Sequence, residues 1–315
     1  MAGSMRFTAL LVIAITLVST GCASLPGDEA ATDTSLDVVT LNLWHDKQDW
    51  PHRQDMIVAE LRTLAPDVIF LQEVLQDVAL PNQAQVLASR LGYDYRFFSV
   101  DAPSQARRYG NAILVRGGIE ASREAKLVPL GDYRNAGWVR ATVHGRPLNL
   151  YATHLHHTPE GGAIRAEQIA GVLELIDATA GDAPSVLGGD FNTRSDTPEL
   201  TALKAAFSEA YTSAHADQDA NTPVHTTLNT HLGHPPERID HVFVQRDAFR
   251  VVDARIILNR QDATGAWASD HYGVWVRVDQ GAEGIRHRRR QRSRLISEAP
   301  AGNPRPPAAI RRPAH

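Results

Sequence analysis

Acidic, amide and imidazole side chains recur at one kind of position in this sequence, at or near one end of a predicted strand. They are Asn42, Glu73, His154, Asp190, Asn192, Asp240, Asp270 and His271. Carboxylate and amide oxygens suit a hard divalent cation such as Mg²⁺ or Mn²⁺. An aspartate beside a histidine can orient the ring and stabilise its charged form. Together these groups favour metal-assisted attack of water on a phosphate ester.

Taken alone, each of these residues has a simpler explanation. Asp190-Phe191-Asn192 can simply form a turn, because Asp and Asn favour turns and helix caps. His154 can be a hydrogen-bonded strand histidine. With His156 and His157 it could instead form a zinc cluster, since His154 and His156 share one strand face. No HExxH pattern supports zinc, and the complete set favours the phosphoesterase interpretation.

The elements that must position these side chains predict an α/β domain. Strand-like segments lie at 36–43, 67–74, 93–99, 111–116, 138–143, 148–154, 185–189, 238–245, 250–258 and 271–278. Helical spacing covers 52–64, 82–91 and 163–179, and Pro66 and Gly92 mark where the first two should end. α/β folds place chemistry at strand ends. No linker interrupts residues 36–280, so we predict a single domain there.

The composition excludes several other classes of protein. The chain has 315 residues, 43% hydrophobic and 22% charged, which is ordinary globular usage. A mostly disordered, collagen-like or coiled-coil chain is therefore excluded. No apolar run reaches the ~20 residues of a membrane-spanning helix. The single cysteine, Cys22, rules out an internal disulfide.

The N-terminus carries the pattern of an export signal. Arg6 precedes an apolar run over residues 7–18 and then small residues up to Cys22. This predicts a signal peptide over residues 1–22 rather than a retained membrane anchor, because the apolar run is short. Residues 19–22 resemble a bacterial lipobox, although Ser19 stands where Leu is usual. Lipid attached to Cys22 would hold the protein on a membrane surface, so we expect an exported envelope protein.

Charge is distributed unevenly along the chain. Nine arginines against Glu283 and Glu298 give residues 281–315 a net charge of +7, which leaves −11 for residues 1–280. The basic, proline-rich end is predicted to be a disordered tail, and the small, polar residues 23–35 a flexible tether. Nucleic-acid binders usually show a basic surface, so charge does not favour nucleic acid as the substrate.

Seven short motifs in this chain resemble those of the endonuclease/exonuclease/phosphatase superfamily, which includes DNase I-like nucleases, inositol-phosphate phosphatases and sphingomyelinases. The motifs are Leu41-Asn42-Leu43-Trp44, Leu71-Gln72-Glu73-Val74, Tyr109-Gly110-Asn111-Ala112, Thr153-His154-Leu155, Gly188-Gly189-Asp190-Phe191-Asn192, Arg238-Ile239-Asp240-His241 and Ser269-Asp270-His271. They occur in the family's order over residues 42–272. The resemblance implies a four-layer α/β/β/α sandwich of two packed mixed β-sheets.

The resemblance also implies a role for each matching residue. Glu73 would bind the metal, with Asn42 and Asp270 in or near its coordination shell. Asp190 would orient or deprotonate the attacking water, and Asn192 would hold a phosphate oxygen.

Four further residues would complete the site. His271, paired with Asp240, would bind the phosphate and stabilise developing charge. His154 would contact phosphate or assist the leaving oxygen. Tyr109 matches a phosphate-contacting tyrosine of some members, or is a packing residue. Which group moves protons stays open at this point.

The sequence therefore predicts a monomeric, Mg²⁺-dependent phosphoesterase that cleaves a phosphodiester or phosphomonoester outside the cytoplasm. A lipid headgroup or small phosphoester is the favoured substrate, although no long apolar insertion suggests entry into a bilayer. The alternatives are an extracytoplasmic nuclease, a silent member that binds a phosphorylated ligand, and an interaction protein working through its tail. The long polar segment 212–236 either helps to shape the substrate groove or is a plain surface loop.

Overall fold

The computed structural model of the protein describes residues 35–219 and 222–281. The signal peptide, Cys22, all but the last residue of the tether and all but Gly281 of the tail lie outside these residues, and our statements about them stay predictions. In the described part of the chain, no helix is long and apolar enough to cross a membrane.

Twelve strands and five α-helices make up the described fold. The strands are β1 (Ser35–Asn42), β2 (Val68–Gln76), β3 (Asp94–Ser99), β4 (Arg108–Val115), β5 (Gly118–Lys126), β6 (Asn135–Val143), β7 (Arg146–His154), β8 (Ser185–Asp190), β9 (Phe207–Glu209), β10 (Asp240–Gln245), β11 (Phe249–Ile257) and β12 (Gly273–Gln280). The helices are α1 (Trp50–Leu64), α2 (Gln83–Leu91), α3 (Gly162–Thr179), α4 (Thr201–Ala206) and α5 (Ala210–Ala214).

The strands form two six-stranded mixed sheets. The first has the order β11-β12-β1-β2-β4-β3, and the second has the order β5-β6-β7-β8-β10-β9. The β1–β2 and β7–β8 pairs are parallel, and the other pairs are antiparallel. Val38 and Phe70 of the first sheet share one buried apolar cluster with Leu150 and Val186 of the second. The two sheets therefore pack face to face.

Helices cover the outer faces of this sandwich. Ile57 of α1 and Leu87 of α2 pack on the outside of the first sheet. Ile169 and Val172 of α3 pack on the outside of the second sheet. The four-layer α/β/β/α architecture expected from the family resemblance is confirmed.

The predicted helix ends are also confirmed. The Asn82 side chain accepts a hydrogen bond from the Gln85 backbone at 3.1 Å and caps α2, which ends at Gly92 with φ +79°. Left-handed backbone there suits glycine, which has no Cβ to clash. Helix α1 ends at Ala65, directly before Pro66.

The sequence patterns missed the edge strand β5. Its residues are half-buried or exposed along its whole length, so it has no alternating apolar pattern to detect. It pairs only with β6, at one edge of the second sheet. The patterns also missed α5, which is a single short turn inside the predicted loop 212–236 and the residues before it.

Candidate active site

Sheet topology brings the predicted site residues to one end of the sandwich. His154, Asp190 and Asp240 are level with one another across β7, β8 and β10. In the first sheet Asn42 ends β1. Strand β12 runs antiparallel to β1, so the residues just before β12 return to the same end.

Asp190 lies at the centre of this cluster and is buried. Its Oδ2 accepts a hydrogen bond from Asn42 Nδ2 at 3.0 Å, and its Oδ1 accepts one from the backbone N–H of Asn192 at 2.9 Å. Burial, followed by the charge of Asp240, raises the pKa of Asp190 to about 7. A carboxylate with a pKa near neutrality is suited to take a proton from water.

His271 and Asp240 form a buried pair beside Asp190. The His271 Nδ1 lies 2.9 Å from Asp240 Oδ2, and its Nε2 lies 3.9 Å from Asp190 Oδ2. Burial alone would lower the pKa of His271, but the charges of Asp240, Asp190 and Asp270 raise it to about 10. The raised pKa favours a charged ring at neutral pH, which strengthens a hydrogen bond to a phosphate oxygen.

The pKa of His154 is shifted in the opposite direction to that of His271. Its Nε2 lies 3.4 Å from Asp190 Oδ2, and its buried Nδ1 has no hydrogen-bond partner among the described residues. Burial, followed by the charges of Arg134 and His271, lowers the pKa of His154 well below its ordinary value. The cluster thus holds one neutral and one charged imidazole.

Glu73 and Asp270, which the family resemblance predicts as metal ligands, are close enough for their charges to interact. Glu73 sits at an irregularity of the β2–β4 pairing, with φ +55°, a conformation that costs free energy and is often found at functional sites. Burial, opposed by His271 but reinforced by the Glu73 charge, raises the pKa of Asp270. Two neighbouring, partly buried carboxylates fit an oxygen-preferring cation, which would relieve their repulsion.

The predicted metal ligand Asn42 and the predicted phosphate contact Tyr109 lie next to Glu73 and Asp270. The Asn42 amide oxygen accepts a hydrogen bond from the Trp44 backbone, and Ser269 Oγ donates to the Asn42 carbonyl at 2.7 Å. Tyr109 is hydrogen-bonded to Glu73, and burial together with that carboxylate raises its pKa. Metal ligation by Asn42 and phosphate contact by Tyr109 stay predictions.

Asn192 follows Asp190 with left-handed backbone, φ +51°. Its Nδ2 donates to the Leu155 carbonyl at 2.9 Å, which holds the amide at the end of β7. Since a primary amide has two N–H donors, one can still serve a phosphate oxygen. The Gly188-Gly189 pair allows β8 to approach its neighbours, because a Cβ at Gly189 would lie 2.2 Å from the Thr153 carbonyl oxygen.

The three neighbouring histidines do not form one metal site within the described residues. His154 joins the Asp190 cluster, whereas His156 Nδ1 contacts Asp132 Oδ1 at 2.9 Å and its Nε2 contacts Thr158 Oγ1 at 2.9 Å. Asp132, His156 and His157 have side-chain ligand atoms within 4.8 Å of one another, but His156 is satisfied without an ion. The zinc alternative gains no support.

Residues of the segment 212–236 form hydrogen bonds that hold active-site residues in place, so this segment is more than a plain surface loop. Buried Thr227 accepts hydrogen bonds from the backbone N–H groups of Ile239 and Asp240 at 3.0 and 3.2 Å. The Asn229 backbone donates to the Asp270 carbonyl at 2.9 Å. This segment therefore fixes both Asp240 and Asp270.

Two arginines of the site were missed at the level of sequence. Arg134 has a buried Nε without a hydrogen-bond partner in the described chain, and its charge acts on both Tyr109 and His154. Arg53 is buried in α1 directly behind the loop that follows Asn42. An isolated arginine carries no sequence signal, because arginines are usually solvated.

Comparison with known proteins agrees with this geometry. The model of the endonuclease/exonuclease/phosphatase family matches residues 39–271. The chain belongs to this family. Among curated proteins, the family relative tyrosyl-DNA phosphodiesterase 2 of Rattus norvegicus is 23% identical over 82% of this chain and 70% of its own length.

Solved structures of family members share the fold. The human nocturnin catalytic domain with bound sulfate superposes with a TM-score of 0.65 and 22% identity, over 79% of this chain and 94% of that one. The D. rerio TDP2 complex with a single-strand DNA product gives a TM-score of 0.65 and 22% identity, over 79% of this chain and all of that one. Family membership makes the chain a metal-dependent phosphoric ester hydrolase, and the acidic and histidine cluster agrees with that chemistry.

Proposed function

We propose that the protein is an Mg²⁺-dependent phosphodiesterase of the cell envelope that acts on a lipid headgroup or a small phosphoester. The reaction is hydrolysis: water attacks phosphorus, the bond from phosphorus to the leaving oxygen breaks, and the products are a phosphate monoester and an alcohol. A cation held by Glu73 and Asp270, with Asn42 beside them, supplies Lewis-acid stabilisation of the phosphate charge when it is bound.

The remaining side chains divide the other tasks. Asp190 accepts the proton of the attacking water, since burial gives it a pKa near neutrality. The His271 imidazolium, held by Asp240, neutralises negative charge that develops on the phosphate oxygens. His154 also lies beside Asp190, with its Nε2 3.4 Å from Asp190 Oδ2, where it can contact a further phosphate oxygen or the leaving oxygen.

The observation that carries the substrate proposal is the surface beside Tyr109. A cavity of about 270 Å³ lies there, lined by Val100, Asp101, Arg107, Tyr109 and Tyr133. This volume has the size of a small alcohol or headgroup. Two tyrosine rings with one acid and one guanidinium can bind a polar group through both its hydroxyls and its apolar face.

The same rim carries exposed apolar side chains. Leu130 and Tyr133 are each 65% exposed, and Val78 is 87% exposed next to Asp77, which pairs with Arg107 at 3.1 Å. Exposed apolar and tyrosine side chains beside a guanidinium favour contact with a lipid interface. The sequence contains no long apolar insertion that could enter a bilayer. The exposed apolar residues of these short loops provide such a contact surface instead.

A lipid on Cys22 would bring this rim to a membrane. Ser35 lies thirteen positions beyond Cys22, which is at most about 45 Å of chain. The eight residues of β1 span about 26 Å from the start of the domain to the site. The tether is therefore long enough for the site to face the membrane that anchors it.

A nuclease is the second candidate function, and the relatives favour it. One of them is a tyrosyl-DNA phosphodiesterase, and one solved neighbour holds a single-strand DNA product. Against it, residues 1–280 of this chain carry a net charge of −11. The binding of DNA by a nuclease should weaken steeply as the salt concentration is raised, whereas the hydrolysis of a lipid headgroup should not.

Hydrolysis by the purified 36–280 domain would test the proposal. Phosphatidylinositol and sphingomyelin vesicles, glycerophosphoinositol, plasmid DNA and bis(p-nitrophenyl) phosphate would be offered with Mg²⁺ and with EDTA. Glu73→Ala is the inactive control, and Glu174→Ala, at an exposed position of α3, is the matched one.

We expect Mg²⁺- and Glu73-dependent cleavage that is faster for a lipid or its water-soluble headgroup ester than for DNA. Preference for vesicles over the soluble ester would identify a lipid substrate, and the reverse would identify a free phosphoester. Faster cleavage of DNA with a steep salt dependence would replace the proposal by the nuclease. Ligand binding without turnover of any substrate would indicate the silent member.

A further inference from the structure

Arg53 uses all its hydrogen-bonding capacity on backbone carbonyls around the active site. It is 2% exposed. Its Nε donates to Lys47 at 3.0 Å, Nη1 donates to Leu43 at 2.7 Å and Ala268 at 2.8 Å, and Nη2 donates to Trp44 at 3.2 Å and His45 at 2.9 Å. A guanidinium has five N–H donors, so every donor is satisfied.

These carbonyls belong to two segments that deliver site residues. Four of them lie in the loop 43–47, which follows Asn42 directly. The fifth, Ala268, lies two residues before Asp270 and three before His271. One rigid, planar group thus fixes the end of β1 relative to the start of β12.

The loop that Arg53 holds is strained. Trp44, His45 and Gln48 all have positive φ, at 55°, 30° and 54°, a conformation that non-glycine residues rarely adopt. Such a loop persists only where its surroundings fix it. The Trp44 ring lies 5.3 Å from the guanidinium carbon of Arg53, which adds a cation–π contact.

Stability alone does not account for this arginine. Among the described residues, no carboxylate forms an ion pair with it, so its charge is buried without a direct counterion, an expensive arrangement. The charges that act on it most are those of Asp270, Asp46 and Glu73. A buried cation whose charge interacts with those of Asp270 and Glu73, and which fixes both flanking loops, is an arrangement suited to positioning.

We infer that Arg53 is a positioning residue of the phosphoesterase site, which sets the distance between Asn42 and the Asp270–His271 pair without touching substrate. Lysine can reach only part of this set of carbonyls, because its ammonium is a single point with three donors. Arg53→Lys therefore keeps the charge and loses the geometry, and Arg53→Ala loses both.

The test compares Arg53→Lys and Arg53→Ala with the wild type and with Arg62→Ala, an exposed arginine of the same helix. The substrate is bis(p-nitrophenyl) phosphate, and thermal unfolding is measured for each protein. We expect Arg53→Lys to stay folded, with kcat lowered 10- to 100-fold, KM within threefold and a higher Mg²⁺ concentration at half-maximal rate. Arg62→Ala should match the wild type.

Chemical rescue gives a second readout. Millimolar guanidinium ion should restore part of the kcat of Arg53→Ala, and urea at the same concentration should not, because it is neutral. Unchanged kcat in folded Arg53→Lys would overturn the inference, as would equal effects of guanidinium and urea. Loss of the fold in both variants would also overturn it, since Arg53 would then be required for the domain rather than for its site.

Discussion

Asn42 Nδ2 donates a hydrogen bond to Asp190 Oδ2 over 3.0 Å and so joins the last residue of β1 to the last residue of β8. The two residues are 148 positions apart and belong to different sheets. The side of the site that carries the predicted metal ligands, on the first sheet, is thereby fixed to the side that carries Asp190, on the second. The site exists only where the two sheets are packed.

Replacement of Asp190 by asparagine should abolish proton acceptance while keeping the shape of the side chain. We expect kcat for bis(p-nitrophenyl) phosphate to fall by about 10²–10⁴ with little change in KM, the usual range for loss of a general base. Asp177→Asn, at an exposed position of α3, is the control. A loss below fivefold would show that another group accepts the proton.

Removal of the Glu73 charge should weaken metal binding before it affects anything else. In Glu73→Gln the Mg²⁺ concentration at half-maximal rate should rise about tenfold or more, because a carboxylate ligand is replaced by a neutral amide. Titration of Mn²⁺ followed by electron paramagnetic resonance measures the same affinity without turnover. Equal Mn²⁺ affinity in both proteins would move the metal away from Glu73.

The Asp240 carboxylate should control the charge of His271. In the metal-free protein the imidazole should titrate near 10, because Asp240 and the other nearby carboxylates raise its pKa against the effect of burial. In Asp240→Asn the midpoint should fall to the ordinary value of about 6.5 or below. Heteronuclear NMR of the His271 ring measures both midpoints, and an unchanged midpoint would contradict the pairing.

A buried ion pair behind the site should make stability depend on acid pH. Glu209 Oε1 lies 3.1 Å from Arg238 Nη1, and Arg238 precedes Asp240 by two residues. Burial by itself would raise the pKa of Glu209, but the charges and hydrogen bonds of Arg238 and His241 hold it well below its ordinary value. This carboxylate therefore stabilises the fold above pH ~4.5, and the contribution is lost as the pH falls.

Glu209→Gln should accordingly lower the free energy of unfolding at pH 7 by about 3–5 kcal/mol, because it leaves the arginine buried without its counterion. The difference from the wild type should shrink as the pH falls from 5 to 3. Urea unfolding at several pH values measures it. A constant difference over this range would mean that the pKa of Glu209 is the same in the folded and unfolded protein, which would contradict the ion pair.

Much of the fold could be predicted from sequence because local patterns were strong. Asn82, Gly92 and Pro66 mark helix ends through backbone chemistry that operates within a few residues. The buried strands are apolar runs. Strand β5 escaped detection because one edge of a sheet needs no apolar face, and its exposed charged residues resemble a loop.

The residues of the site could be predicted from the sequence, but the interactions between them could not. Motifs at strand ends pointed to Asp190, Asp240 and His271, yet their pKa values depend on burial and neighbours that only the folded chain supplies. The roles of Arg53 and Arg134 could not be predicted from the sequence for the same reason. Their importance lies in contacts with residues far away in the chain or with backbone carbonyls, which leave no pattern in the sequence.

The position of β12 has a consequence for how the protein is made. This last strand lies between β11 and β1, so β1 has only β2 beside it until β12 has been made. Synthesis proceeds from the N-terminus, and the first sheet therefore cannot close until the chain has left the ribosome beyond Gln280. Asp270 and His271 come just before β12, so the active site is completed at the same late stage. We therefore expect a nascent chain that lacks β12 to have no phosphoesterase activity.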